Sequence, residues 1–375
     1  GVEKMVESLY IHIPFCNRIC TYCDFNKVLI KNQPVDDYLD ALIREIEMIG
    51  EDRMKTIFVG GGTPTALTEA QLARLLEVVT AKFTVTDEFT FEANPDELTP
   101  GKLDVLKRYG VNRISLGVQT FNEDLLKVLG RSHGYDDIFN AINHMKKIGL
   151  DNYSLDLMYN LPGETMGDIE DSLRHIERLK PKHISWYSLI IEPHTVFYNQ
   201  IRKGRMQVDD DSAEGAKYFH IIEALAERGY PQYEISNFST PQYESAHNKT
   251  YWMNAPYYGA GAGSHGYVGG TRYYNIKPVN HYIQSMKETG SVVKETLPLD
   301  EKAQMEEEMF LGLRMNRGVE ISRFDRKFSR PMEDVYGSVL EQEIGKGHLE
   351  KKDGFISLTE KGRLVGNTVF MEFLL

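Results

Sequence analysis

Six short apolar runs alternate with amphipathic stretches over the first half of the chain, and this alternation restricts the fold more than any other feature. The runs cover residues 9–13, 56–59, 89–93, 113–118, 153–158 and 183–189. Strands joined through helices run parallel, because each crossover returns the chain to the same end of the sheet. Between the runs, residues 68–83 place Leu72, Leu75, Leu76 and Val79 on one helical face. Thr99-Pro100 reads as an N-cap and first helical residue, and Gly110 as the following stop. His12, Glu92, Gln119 and Asp156 each fall at or near the C-terminal end of a different run. An open doubly wound sheet would spread these ends along an edge, whereas a barrel gathers them on one face. The expected class is therefore α/β, a partial (β/α)6 TIM-like barrel.

The texture changes after about residue 240. Residues 247–274 hold Tyr251, Trp252, Tyr257, Tyr258, Tyr267, Tyr273 and Tyr274, one residue in four, against 11% aromatic overall. Helical patterns return over 305–315 and 332–344, followed by a short strand at 355–358 and a last helix from Thr359. That order predicts a small winged-helix-like module. The expected division is 1–240 for the barrel, 241–299 for an aromatic and glycine-rich connecting segment, and 300–375 for the C-terminal module.

With 43 basic and 55 acidic residues the net charge is −12, which disfavours a nucleic-acid partner. No apolar run approaches the ~18 residues of a membrane span, and no signal-peptide core precedes the first run. The three cysteines, Cys16, Cys20 and Cys23, are odd in number and clustered, so they do not form a disulfide framework; a cytoplasmic location is expected.

Those cysteines follow the first run in a Cys-x3-Cys-x2-Cys loop. Closely spaced soft thiolates suit an iron–sulfur cluster, and three ligands instead of four leave one iron open to another molecule. Zinc with His12 as a fourth ligand is the alternative, although a strand residue four positions before Cys16 fits zinc-loop spacing poorly. Gly60-Gly61-Gly62-Thr63-Pro64 follows the second run and precedes a helix. It is either a tight turn or a place where backbone approaches a ligand closely. It is not a phosphate loop, because no Gly-Lys-Ser/Thr follows.

The cysteine spacing, with Tyr22 before the last cysteine, resembles the signature of radical S-adenosylmethionine (SAM) proteins. Residues 9–16 (LYIHIPFC), 57–65 (IFVGGGTPT), 91–95 (FEANP), 115–122 (SLGVQTFN), 156–159 (DLMY) and 161–163 (LPG) are similar to the coproporphyrinogen III oxidase-like branch of that superfamily. The resemblance extends from about residue 8 to the C-terminus. It implies a [4Fe-4S] cluster on Cys16, Cys20 and Cys23. It implies SAM contacts from Tyr10, Tyr22, Gly61, Gly62, Thr63, Glu92, Gln119, Arg131, Asp156 and Ile190. It further implies an electron donor for the cluster and one-electron cleavage of SAM, chemistry that belongs largely to the cofactors.

Two readings arise within the branch. One is oxygen-independent coproporphyrinogen III dehydrogenase, an enzyme that oxidatively decarboxylates two propionates. The other is a heme chaperone, which holds heme and passes it to an acceptor protein; any membrane contact would then come through that acceptor. The dehydrogenases end their motif in Cys-Gly-Cys, whereas Cys23 is followed here by Asp24-Phe25. His247-Asn248-x2-Tyr251-Trp252 resembles the heme-binding motif of the chaperones, with His247 as the ligand or attachment point. The chaperone reading is favoured, and whether the chain is an enzyme stays open at this point.

Overall fold

The computed structural model describes residues 5–18, 20–22, 27–189 and 211–375. All six apolar runs form strands: β1 (Ser8–Ile13), β2 (Arg53–Gly61), β3 (Thr84–Ala93), β4 (Arg113–Gln119), β5 (Tyr153–Tyr159) and β6 (His183–Ser188). They lie side by side in chain order, and each neighbouring pair is parallel. Helices Val35–Glu47, Glu69–Lys82, Pro100–Arg108, Tyr135–Lys147 and Met166–Leu179 lie between successive strands. Their ends follow local chemistry. Thr68 and Gln71 form a reciprocal capping box, Thr99 caps the Lys102 amide, and Gly110 takes the left-handed conformation (φ 88°) after the third of these helices.

Strand alternation divides the sheet into two faces. Leu9, Ile11, Ile57, Val59, Phe89, Phe91, Ile114, Leu116, Leu155, Leu157 and Ile184 join the helices in one apolar core. Tyr10, Phe58, Glu92, Ser115, Asp156 and Ser185 line a single cavity on the other side. A sheet whose six strands all face one cavity is curled, and its two edges remain unpaired with each other among the described residues. This is the partial barrel expected from the polar strand ends.

Three short strands extend the sheet beyond that expectation. The antiparallel β7 (Gln232–Glu234) and β8 (Asn237–Ser239) continue it past β6, and β9 (Tyr258–Ala260) pairs in parallel with β1 at the opposite edge. The segment 241–299 is threaded through the larger core, to which it contributes Ala260, Ala262, Val279, Tyr282, Ile283, Met286 and Val292. Its antiparallel sheet, His265–Val268, Thr271–Asn275 and Val293–Pro298, absorbs several of the clustered tyrosines. Tyr273, for example, donates its hydroxyl to the Gly259 carbonyl at 2.9 Å.

A second core holds Met305, Met309, Phe324, Tyr336, Ile356 and Phe373. Helices Glu301–Gly312, Ile321–Phe328 and Met332–Gly345 pack there with a three-stranded sheet ordered Val319–Glu320, Phe355–Leu358, Leu349–Lys352. This is the expected winged-helix-like arrangement. It is tied to the barrel by Arg314, which donates to the buried Glu234 at 3.0 Å, and by Asn254, which donates to Glu308 at 3.1 Å.

Candidate functional site

The cavity enclosed by the curled sheet measures about 750 Å³. At its rim, Phe15–Cys16 pairs in parallel with Val28–Leu29, which pins both ends of the cysteine loop. Cys16 and Cys20 both line the cavity, and each sulfur accepts a hydrogen bond at 3.6 Å, from Thr63 Oγ1 and Arg131 Nη1 respectively. Arg131 is itself fixed by Asn94 Oδ1 at 2.7 Å and the Gly117 carbonyl at 2.9 Å, and Asn94 donates to Thr63 at 3.1 Å. The two sulfurs are thus joined by a circuit of donors through Thr63, Asn94 and Arg131. Burial pushes the Cys16 thiol up, while Lys27 and the Thr63 bond pull it down. Soft donors with hydrogen bonds aimed at their sulfurs fit thiolate ligation of an iron–sulfur cluster. Cys23 lies outside the described residues.

The glycine run resolves into two separate demands. Gly61 has φ 124°, and a Cβ there would meet the Ile13 carbonyl at 2.7 Å and the His12 ring at 2.8 Å. Gly62 is under no such conformational demand, but a Cβ would lie 2.7 Å from the Phe15 carbonyl and 2.8 Å from Cys16 Sγ. Only glycine lets this turn approach the cysteine loop so closely. His12 packs beside Gly61 with Nδ1 2.9 Å from the Tyr10 hydroxyl.

Two carboxylates occupy the cavity wall. Asp156 accepts from Ser115 and, at 2.8 Å, from Ser154. Burial raises its pKa against those hydrogen bonds and against the Arg113 charge. Glu92 is pushed up to about 7, first by burial and then by Asp156, with the Gly61 amide and Lys27 opposing. Burial makes ionisation of both acids costly, and a cationic group brought beside them would offset that cost. Gln119 reaches the same cavity through a left-handed backbone (φ 68°), where the β4–β5 register shifts.

Across from the cysteines, helix Ala246–Trp252 packs against β2 and β3. Glu88 holds its N-terminus, accepting from the Ala246 amide at 2.8 Å, Ser245 Oγ at 3.2 Å and the His247 amide at 3.3 Å. His247, Asn248 and Tyr251 line the cavity. The His247 ring stacks on Phe58 with centroids 5.2 Å apart, and burial together with Arg113 lowers its pKa to about 3, so the imidazole is neutral. Trp252 points elsewhere, beneath the Arg314 guanidinium of the C-terminal module at 4.4 Å. It closes the barrel against that module.

Of the residues proposed from sequence, Tyr10, Tyr22, Gly61, Gly62, Thr63, Glu92, Gln119, Arg131, Asp156 and His247 line this one cavity with Cys16 and Cys20. Ile190 lies outside the described residues. Phe58, Asn94, Arg113, Ser115, Ser185 and Tyr187 also line it and were not singled out. Part of the signal was in the sequence, where Ser115 and Gly117 precede Gln119 at period two; the placement of Ser185 beside Asp156 arises only from the strand register.

A family model for the Radical SAM superfamily matches residues 10–176, and one for the HemN C-terminal domain matches residues 299–365. The protein named heme chaperone HemW from Bacillus subtilis (strain 168) is 46% identical, with 98% of this chain and 99% of the relative covered. Its namesake from Lactococcus lactis is 44% identical, with 98% and 97% covered. The solved structure of coproporphyrinogen III oxidase (HemN) from Escherichia coli, described as a radical SAM enzyme, superimposes with a TM-score of 0.86 at 26% identity, covering 98% of this chain and 90% of that one. The fold is that of a radical SAM protein, a class that implies a [4Fe-4S] cluster and SAM. Within that class the chain belongs to the HemW family.

Proposed function

We propose that this chain is a heme chaperone of the radical SAM class, which binds heme and hands it to an acceptor protein in the cytoplasm. The full-length 46% identity to a protein named heme chaperone carries this reading. It is supported by the cavity, whose lining includes His247, Asn248 and Tyr251 as well as Cys16 and Cys20. In this reading Cys16, Cys20 and Cys23 hold the cluster. Tyr10, Tyr22, Gly61, Gly62, Thr63, Glu92, Gln119, Arg131, Asp156 and Ile190 surround SAM, and His247 takes heme. When bound, the cluster and SAM would supply one-electron cleavage chemistry, with the electron drawn from a separate donor protein. The chain's own residues orient these groups: Thr63 and Arg131 hold the sulfurs, Asp156 and Glu92 accept cationic groups, and Phe58 with Tyr251 offers aromatic faces to a flat ring. No helix among the described residues is long and apolar enough to cross a membrane.

The dehydrogenase reading draws on the TM-score of 0.86 to HemN. Against it, Asp24-Phe25 stands where those enzymes carry Gly-Cys. Anaerobically reconstituted protein titrated with hemin, beside a coproporphyrinogen III turnover assay, separates the two. Saturable heme binding without turnover is expected; turnover without heme binding would favour the enzyme.

Glu92 makes the SAM assignment testable by pH. A bound cation favours the carboxylate, so its pKa falls on binding from the value of about 7 to which burial and Asp156 push it. Binding then releases a proton, and SAM affinity should decline by up to about tenfold per pH unit below 7 and be flat above it. Calorimetry between pH 5.5 and 8 should show this for the wild type, and Glu92→Gln should flatten the profile. The same slope in both proteins would remove Glu92 from the SAM site.

A further inference from the structure

Both ring nitrogens of His247 meet hydroxyl groups: Nδ1 lies 2.8 Å from Thr56 Oγ1 and Nε2 lies 2.6 Å from the Tyr251 hydroxyl. A neutral imidazole carries one N–H and one lone pair, and the structure determines which nitrogen has which. The determinant lies at the far end of a hydroxyl chain. Thr250 Oγ1 is 3.1 Å from the Ala246 carbonyl, which can only accept, so Thr250 donates its single proton there. The Ser8 Oγ–Thr250 Oγ1 pair, 3.1 Å apart, admits either donor by distance, and with the Thr250 proton on the carbonyl Ser8 is the donor. Thr56, 2.8 Å from Ser8 Oγ, must in turn donate to Ser8. No proton on Thr56 remains for the imidazole, so Nδ1 carries the hydrogen and donates to Thr56. Nε2 holds the lone pair and accepts the Tyr251 O–H. Ser8, Thr56 and His247 are at most 2% exposed, so bulk water does not reach the links next to the imidazole; Thr250, at the outer end, is half-buried.

We propose that the Thr250–Ser8–Thr56 chain is a positioning device that holds His247 in its Nδ1–H tautomer, presenting Nε2 to the cavity as the ligand for the iron of a metalloporphyrin, with the Tyr251 hydroxyl as a displaceable cover. The proposal rests on the heme-chaperone reading and deepens it by naming the ligating atom and the residues that prepare it. Metal-bound histidines use one nitrogen for the metal and donate the other N–H to a fixed acceptor, and Thr56 is that acceptor here. On ligation the Nε2 lone pair forms the Fe–N bond. The Tyr251 O–H···N bond breaks, and the proton stays on Tyr251. No redox change is involved. The relay residues touch neither heme nor SAM, and Tyr251 is predicted to oppose binding although it lines the site.

The test uses the full-length chain. Long-range 1H–15N NMR of the 15N-histidine-labelled protein without heme should assign His247 as the Nδ1–H tautomer; an Nε2–H signal for His247 overturns the relay. Hemin titration followed by its Soret band and ferric EPR should then show three results. Thr56→Val should lose the tautomer signature and bind hemin at least tenfold more weakly, and Thr56→Ser should restore both. Tyr251→Phe keeps the ring but removes the cover, and should bind hemin several-fold more tightly. Wild-type affinity and unchanged spectra in Thr56→Val, or weaker binding in Tyr251→Phe, would overturn the positioning role. If His247→Ala binds hemin with wild-type spectra, the proposal fails while the chaperone reading survives. If the wild type binds no hemin, the chaperone reading itself fails and the ligand role falls with it.

Discussion

Cys16→Ala is expected to eliminate cluster assembly outright. The chain has three cysteines, so no spare thiolate can replace the one removed. Cys16 is also closely held by its surroundings. It is 2% exposed, sits in the paired Phe15–Cys16 strand, accepts from Thr63 at 3.6 Å and is packed against Gly62. Anaerobic reconstitution should load about four irons and four sulfides into the wild type and none into the variant, with loss of the reduced-cluster EPR signal. The deletion itself is small, and the strand pairing around it does not use the thiol. Thermal unfolding of the variant without cluster should therefore match that of the unreconstituted wild type. Full iron loading in Cys16→Ala, or zinc instead of iron in the wild type, would contradict the assignment.

What the sequence made legible was set by local chemistry. The six βα units were readable because each strand is a short apolar run set between amphipathic helical stretches, as parallel strands covered by helices require. Helix ends were readable at Thr68, Thr99 and Gly110 because capping depends on neighbours a few positions away. The edge strand Tyr258–Ala260 was not, since its three residues include a glycine and its partners Leu9–Ile11 are remote in the chain. Asn94 was quoted within a motif, yet its link between Thr63 and Arg131 depends on three strands meeting. The direction of the Thr250–Ser8–Thr56 chain, likewise, exists only when β1, β2 and helix Ala246–Trp252 are in contact. Sequence patterns thus located most of the chemistry-bearing side chains, while the hydrogen bonds that orient them had to come from tertiary structure.

Glu88 illustrates the same division, and its removal should have the largest effect on stability among the residues outside the two cores. It lies near the middle of β3, where a glutamate reads as an outward, solvated position. Instead it is buried, and its two oxygens serve the Ser245 hydroxyl and the amides of Ala246 and His247. Thr90 adds a weaker donor at 3.4 Å. Alanine there would leave these donors without their acceptor at the start of the helix that carries His247. Each unpaired buried donor costs about 1–3 kcal/mol, but water entering the vacated space would recover part, so a net loss of about 3 kcal/mol is expected. For a core of this size that is a fall in Tm of about 5–10 °C. Glu88→Gln retains one acceptor oxygen and turns its amide NH2 toward the remaining donors, so it should lose roughly half as much. Both variants should also weaken hemin binding, because the helix that presents His247 is no longer anchored to β3. Cluster content should be unchanged, since the cysteine loop is held by Phe15–Cys16, Thr63 and Arg131 on the other side of the cavity. Calorimetric scans paired with iron analysis decide the matter: an unchanged Tm in Glu88→Ala would show that the helix is held by its apolar contacts alone.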